Sequence, residues 1–431
     1  MSPGPIDTPF FDGQADSVEA ANEVKAQFAA AIPLNRLGRP DEIAAAALFL
    51  ASDDSSFVAG AELSSMAAWP RSSYRSGCPI RYHECERPIM TTFRATQVTS
   101  PGAELTLIDR TLTDPGPGTV RVAVEACGIC HTDSVFVDDQ WPGLQFPVTP
   151  GHEIAGHIDA IGEGVEGWRE GERVAIGWSG GHCGHCRSCR RGEFVHCEVG
   201  MVTGATFPGG YAEYVVAPAS ALARIPDELS AVDAAPIACA GLTMFNSLRR
   251  TGAGPGDLVA ILGIGGLGHL GVQFAVKMGF RTVAIARGAE KGELARQLGA
   301  HDYIDSTASD VATELQNLGG ARVIAATATN AEAITASAGG LGLHGELLTL
   351  AVLVDAVQVS PMQLINISGT VHGHPAGASN DLEDTLNFAA LQGIKPMIEV
   401  LPLEKAADGY QRMLANQARF RVVLTTGEIS G

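Results

Sequence analysis

Four cysteines stand close together in HCGHCRSCRRGEFVHC, as Cys183, Cys186, Cys189 and Cys197, at spacings of three, three and eight. Two-residue gaps let successive thiolates wrap one tetrahedral ion, and the longer loop returns the fourth sulfur. Four sulfurs leave no open position, so this ladder reads as a structural zinc site. An iron–sulfur cluster is the rival, but such runs usually end in C-P and this one does not. Three further donors lie apart in the chain: Cys130 in GICHTD, His152 in PGHE and Cys239 in PIACAGLT. Two thiolates and one imidazole leave the fourth position of a zinc ion open to water or substrate, which catalysis requires. Each of the three alone would pass for a core cysteine or a satisfied histidine. Cys127 reads as a core thiol and not as a ligand.

A third constellation is Gly263-x-Gly265-x-x-Gly268 in LVAILGIGGLGHLG, with Gly266 and Leu267 inside it. Standing directly after a strand and opening a helix, it suits a dinucleotide: glycine permits the turn and the close approach, and the helix start faces the diphosphate. At the end of the next strand, TVAIARG, an acidic residue would bind the ribose 2′-hydroxyl of NAD. Here Ala286 and Arg287 stand instead, with Lys291 expected one helical turn on. Without a carboxylate to repel a 2′-phosphate, and with an arginine able to grip one, NADP is expected over NAD. The bland alternative is an Arg287 that stacks on adenine or faces solvent.

The elements that must position these residues are legible from pattern. VRVAVEACG, EIAGHIDAIG and ERVAIG read as strands between glycine-rich turns. After Ala240 strands and helices alternate: LVAILGIG, HLGVQFAVKMG, TVAIA, KGELARQLGA. That alternation indicates a parallel, doubly wound sheet with crossover helices. The fold class expected is α/β, with a β-rich domain over residues 90–241 and 373–431 and a Rossmann domain over residues 242–372.

Cys130, His152 and Cys239 in this order, beside the ladder and the glycine loop, resemble the zinc-containing medium-chain alcohol dehydrogenases from about Met90 to the C-terminus. The resemblance implies a GroES-like catalytic domain, hydride transfer between an alcohol and NAD or NADP, and two zinc ions per subunit. It implies that Cys130, His152 and Cys239 hold the catalytic zinc, and that Glu153 approaches it as water or product exchanges. Asp133 matches the carboxylate that orients the ligand histidine. Thr132 matches a proton-relay hydroxyl, and Val135 replaces a histidine that completes the relay in several members. His131 and Arg421 match phosphate-contacting residues, and Thr243 matches a nicotinamide contact. Trp141 resembles a pocket-lining aromatic, which suits primary aliphatic or aromatic alcohols and their aldehydes. Polyol or formaldehyde dehydrogenases of the same fold, and a catalytically silent zinc- and nucleotide-binding protein, remain alternative readings.

The first 64 residues have another texture. PGPIDTP at Pro3–Pro9, the R-x-G-x-P-x-E-I-A run from Arg36 to Ala44, and SSFVAGAEL at Ser55–Leu63 resemble the C-terminal part of a short-chain dehydrogenase. Its glycine-rich loop and Tyr-x-x-x-Lys pair are absent from this stretch, so it cannot carry that chemistry alone. Residues 65–89 show no periodicity and read as a linker or an out-of-frame segment. A stretch encoding V-D-G-G-M-A, read after loss of one base, gives S-M-A-A-W-P, the sequence at Ser65–Pro70. Resequencing the DNA at codons 64–65 tests that reading; an intact frame would end it.

Across 431 residues, 45% are hydrophobic and 18% charged, a globular balance with room for several cores. A net charge of −19 disfavours nucleic acid and anionic lipid as partners. No basic n-region and no apolar run of membrane-spanning length are apparent. Nine cysteines in such a chain point to metal rather than disulfides. The expectations are a cytoplasmic protein, a homo-oligomer (dimer or tetramer), with a small alcohol or aldehyde as substrate.

Overall fold

The computed structural model describes residues 91–427 continuously and, ahead of them, Thr8, Val18, Asn22, Lys25, Ala26, Ala29 and residues 36–44. The chain divides into two compact units, Met1–Arg87 and Pro88–Gly431. In the first, residues 40–44 are helical, as Pro40 and Asp41 at a helix start lead one to expect. The reading of residues 65–89 as a linker or out-of-frame segment lies outside the described residues.

The second unit is built on two large sheets. One has six parallel strands in the order Asp302–Asp305, Arg281–Ala286, Leu258–Leu262, Ala321–Ala326, Leu341–Thr349, Thr370–Gly373. Helices Gly268–Lys277, Lys291–Gln297, Val311–Asn317, Ala331–Ser337 and Pro361–Ile367 make the crossovers. The Leu258–Leu262 strand is buried at every position, as a central strand covered on both faces must be. The winding reverses between Leu258–Leu262 and Ala321–Ala326, which opens a crevice at their C-terminal ends.

The other sheet has seven strands around Thr119–Gly128 and Ile154–Ile161. Arg421–Thr425 pairs antiparallel with the end of Thr119–Gly128, placing Val423 opposite Gly128. The C-terminal segment thus returns to this sheet, bringing Arg421 beside the loop that carries Cys130.

One helix, Ala231–Arg249, runs without interruption across position 241/242, where the domain division was expected. Pro236 lies inside it and has no N–H to donate, and Ile237–Gly241 winds as a π-helical turn. That helix has 19 residues and enough apolar character to cross a membrane, which corrects the expectation that no such run exists. Of its most apolar stretch 78% is buried inside the protein, so its apolarity is spent on the core between the two sheets.

Candidate metal centres and nucleotide crevice

Cys130 follows the Thr119–Gly128 strand, His152 precedes the Ile154–Ile161 strand, and Cys239 lies in the π-helical turn. Their ligand atoms and a Glu153 carboxylate oxygen all lie within 4.8 Å of one another. Residues 22 and 87 positions apart along the chain therefore face one point. A π turn rotates the side chains that follow it relative to an α-helix, and such turns often mark functional sites.

The imidazole of His152 is held from behind. Its Nδ1 is 2.8 Å from Asp133 Oδ1, and both side chains are fully buried. The same carboxylate accepts from Cys130 N at 2.9 Å, Gly151 N at 3.2 Å and the Tyr211 hydroxyl at 2.9 Å. A carboxylate can only accept, so Nδ1 carries the proton and the Nε2 lone pair faces the cluster. Nε2 has no hydrogen-bond partner among the described residues.

The cluster also shifts the proton affinity of each of its members. The Cys130 thiol is held well below its ordinary pKa, first by a hydrogen bond from Cys239 and then, against burial, by Arg421 and His152. Cys239 is raised by that same bond and by burial. Against burial, Asp133 and Cys130 raise His152 well above the ordinary histidine value, so a metal at Nε2 would bind in place of a proton. Burial pushes the Glu153 carboxyl up to about 8 against the pull of Arg421. Arg421 Nη2 stands 3.3 Å from Glu153 Oε1, yet Nη2, Nε and both Glu153 oxygens make no hydrogen bond among the described residues. Buried polar atoms are seldom left so. Soft sulfurs, a free imidazole lone pair and an adjacent carboxylate suit a zinc ion with one open position.

The ladder has a different character. Cys183 and Cys189 sulfurs are 4.0 Å apart, as are those of Cys186 and Cys197. Bonds of 2.3 Å to one tetrahedral zinc separate sulfurs by about 3.8 Å. Backbone N–H groups of Cys183, Cys186 and Cys189 donate to Cys197, Cys183 and Cys186 sulfurs at 3.3–3.5 Å. The Cys189 amide is the main cause lowering Cys186 to about 6, while burial is the main cause raising Cys189 to about 12. The four sulfurs thus take contacts from one another and from nearby backbone amides.

The glycine loop lies at the crevice. Gly263 has φ +101°, a value other residues adopt at a cost. A Cβ on Gly268 would collide with the Gly263 carbonyl, and one on Gly266 would come within 3.2 Å of Arg421 Nη2. Leu267 leads into the helix that Gly268 opens. Ala286 is buried at the end of its strand, Arg287 is exposed, and Lys291 is half-buried at the start of the next helix. Residues 287–290 form a turn rather than helix, which corrects the expectation that Lys291 follows Arg287 by one helical turn. Thr243 is buried on the Ala231–Arg249 helix. His131 is exposed, and Thr132 Oγ1 lies 3.6 Å from Cys130 Sγ. Cys127 is a buried core residue.

Of an aromatic wall, sequence reasoning named Trp141 but missed its neighbours Trp178 and Phe136. Trp178 packs edge-on to His152 with ring centres 5.1 Å apart, stacks on Phe136 at 5.3 Å and meets Trp141 at 5.6 Å. Tyr211 was also missed. Trp178 stands five positions before Cys183 in GWSGGHC, a glycine-rich stretch that offered no periodic signal.

Family models agree with this geometry. One described as alcohol dehydrogenase GroES-like domain matches residues 116–227, and one described as zinc-binding dehydrogenase matches residues 266–390. A third, enoyl-(acyl carrier protein) reductase, matches residues 1–65. Alcohol dehydrogenase patD of Penicillium expansum is 43% identical over 335 residues, covering 78% of this chain and 98% of that protein. NADP-dependent alcohol dehydrogenase C of Mycobacterium bovis is 34% identical over 343 residues, covering 78% and 99%. The solved structure of a cinnamyl alcohol dehydrogenase from Sorghum bicolor superposes with a TM-score of 0.71 at 26% identity, covering 78% of this chain and 98% of that one. The chain belongs to the zinc-containing medium-chain alcohol dehydrogenases. It is an NAD(P)-dependent alcohol oxidoreductase that uses zinc and a nicotinamide cofactor on small alcohols or aldehydes.

Proposed function

We propose that residues from about Met90 onward form an NADP-preferring dehydrogenase of primary aliphatic or aromatic alcohols, working equally as an aldehyde reductase. The observation that carries the reading is the buried Cys130–His152–Cys239 cluster with its unpartnered His152 Nε2. Cys130, His152 and Cys239 would hold a catalytic zinc, with Glu153 as the exchanging carboxylate, and Cys183, Cys186, Cys189 and Cys197 a structural one, two ions per subunit. A zinc ion at the open site supplies Lewis acidity that lowers the pKa of an alcohol hydroxyl. Asp133 keeps His152 in the tautomer that presents Nε2. Thr132 accepts the hydroxyl proton and hands it toward the cofactor ribose; with Val135 in place of a second relay histidine, water completes the path to solvent. Trp178, Trp141 and Phe136 exclude water from the carbon that loses hydride, and their faces suit an apolar or aromatic chain.

The glycines at 263, 265, 266 and 268, with Leu267, would cradle the diphosphate, and His131 and Arg421 Nη2, which makes no hydrogen bond among the described residues, would contact its oxygens. Thr243 would meet the nicotinamide. Arg287, exposed beyond the buried Ala286, would pair with a 2′-phosphate, with Lys291 adding charge. A cytoplasmic location suits thiolate sites that a reducing compartment preserves. Self-association fits the edge strand Thr370–Gly373, whose residues are all exposed, beside exposed Leu343, Met362 and Ile365. The charge of −19 leaves nucleic acid and membranes as unsuited partners. The test is to express residues 90–431 and the full chain, measure bound zinc, and screen alcohols and aldehydes with NADPH and NADH. Turnover of polyols alone, or none with both zinc sites filled, would overturn the reading.

A further inference from the structure

His269 belongs to the helix behind the glycine loop and is fully buried, yet none of the chemistry above uses it. Its Nδ1 lies 2.9 Å from the Gly265 carbonyl, and its Nε2 lies 3.1 Å from the Met397 N–H. A carbonyl can only accept and an amide N–H can only donate. The ring is therefore neutral, with its proton on Nδ1. Phe420 stacks on it at 5.2 Å. The Met397 carbonyl in turn accepts from Phe420 N at 2.9 Å and Arg421 N at 3.2 Å. The guanidinium of that same Arg421 lies against Gly266, the neighbour of Gly265. These contacts close a circuit: Gly265 to His269, to Met397, to Arg421, and back to Gly266.

We infer that His269 is a positioning residue for the nicotinamide cofactor, which fixes the glycine loop at a set distance from Arg421 so that the two walls of the diphosphate cradle face each other. The inference rests on the assignment of that cradle. Two segments carry the walls: the loop of the parallel sheet and the strand pair that closes the other sheet. They are 132 residues or more apart in sequence at the points His269 joins, Gly265 and Met397. Among the described residues, His269 is the side chain that hydrogen-bonds the loop to that strand pair directly. Gln273, one turn on, bonds the Lys395 carbonyl at 2.9 Å and so ties the helix, not the loop, to the same segment. Burial keeps His269 neutral, with its pKa lowered to about 4, so the Nε2 acceptor persists through the neutral range.

The test compares His269→Phe, which keeps a ring to stack on Phe420 but removes both hydrogen bonds, with His269→Gln, which restores one donor and one acceptor. Full-length zinc-loaded protein is titrated with NADPH and with NADH, followed by nicotinamide fluorescence, and bound zinc is counted in each variant. His269→Phe should weaken both coenzymes by about tenfold or more, with zinc content unchanged. The loss should appear in the coenzyme KM more than in kcat. His269→Gln should recover most of the affinity. Unchanged coenzyme affinity in His269→Phe would overturn the inference. So would a parallel loss of zinc, or a His269→Gln variant no better than His269→Phe, since either marks a packing role alone. A wild-type chain that binds neither coenzyme would instead sink the cradle assignment itself.

Discussion

The two cysteine sites use the same donor atom in opposite ways. The ladder draws all four donors from a stretch of 15 residues, Cys183 to Cys197, and satisfies them locally with backbone amides. The second cluster gathers Cys130, His152 and Cys239 from two loops of the seven-stranded sheet and the π-helical turn, and leaves buried atoms of His152, Glu153 and Arg421 without hydrogen bonds among the described residues. A closed site adds folding energy, whereas an incomplete one leaves a position for a reacting atom. The difference teaches where each change should be felt: losses in the ladder fall on stability, and losses in the gathered cluster fall on turnover.

The largest effect that could break this contrast is on turnover. Replacing Cys239 with Ala should lower kcat/KM on any alcohol substrate by about a thousandfold or more, because a Lewis acid supplies several kcal/mol to the reaction. Zinc content should fall by one ion per chain, and circular dichroism should stay native. Retained activity with one zinc fewer would assign the chemistry elsewhere.

Cys189→Ser is the matching change in the ladder. It should remove the other zinc and lower the thermal midpoint, read by calorimetry, by several degrees for each ~1 kcal/mol lost. Activity per folded molecule should fall far less than in Cys239→Ala. If instead Cys189→Ser abolishes turnover in protein that remains folded, the two sites are not separable in the way their burial suggests.

Much of this was legible in the sequence, and the reason differs between the sites. The ladder is a local spacing, so counting residues sufficed. The gathered cluster was legible through resemblance, since no spacing links Cys130 to Cys239. The strands at Thr119–Gly128, Ile154–Ile161, Leu258–Leu262 and Arg281–Ala286 showed their apolar pattern, because the sheets bury them. Tyr211, Trp178 and His269 were not legible. Tyr211 meets Asp133 across 78 positions, and His269 meets Met397 across 128, contacts that only folding creates. The π turn at Ile237–Gly241 was also hidden, because it sits directly after Pro236 in an otherwise ordinary apolar run.

A second-rank prediction concerns the nucleotide side of the gathered site. Arg287→Asp should shift the ratio of NADPH to NADH catalytic efficiency toward NADH by about tenfold to a hundredfold, since a carboxylate repels a 2′-phosphate and accepts from a 2′-hydroxyl. The zinc-dependent kcat at saturating coenzyme should hardly move. A ratio that stays put would mean that Arg287, exposed in its turn, does not touch the ribose.

The smallest predicted effect sharpens the contrast within the gathered site itself. Trp178 packs edge-on against the His152 ring, whose Nδ1 is held by Asp133. Replacing Trp178 with Ala removes apolar surface from a pocket without touching a ligand atom. KM for an aromatic alcohol should rise by about tenfold, the scale of 1–3 kcal/mol of lost apolar contact, while a short aliphatic alcohol should be affected less. Zinc affinity, measured by chelator competition, should change little. If zinc affinity fell as much as substrate affinity, Trp178 would be holding His152 in place, and the aromatic wall would belong to the metal site rather than to the pocket.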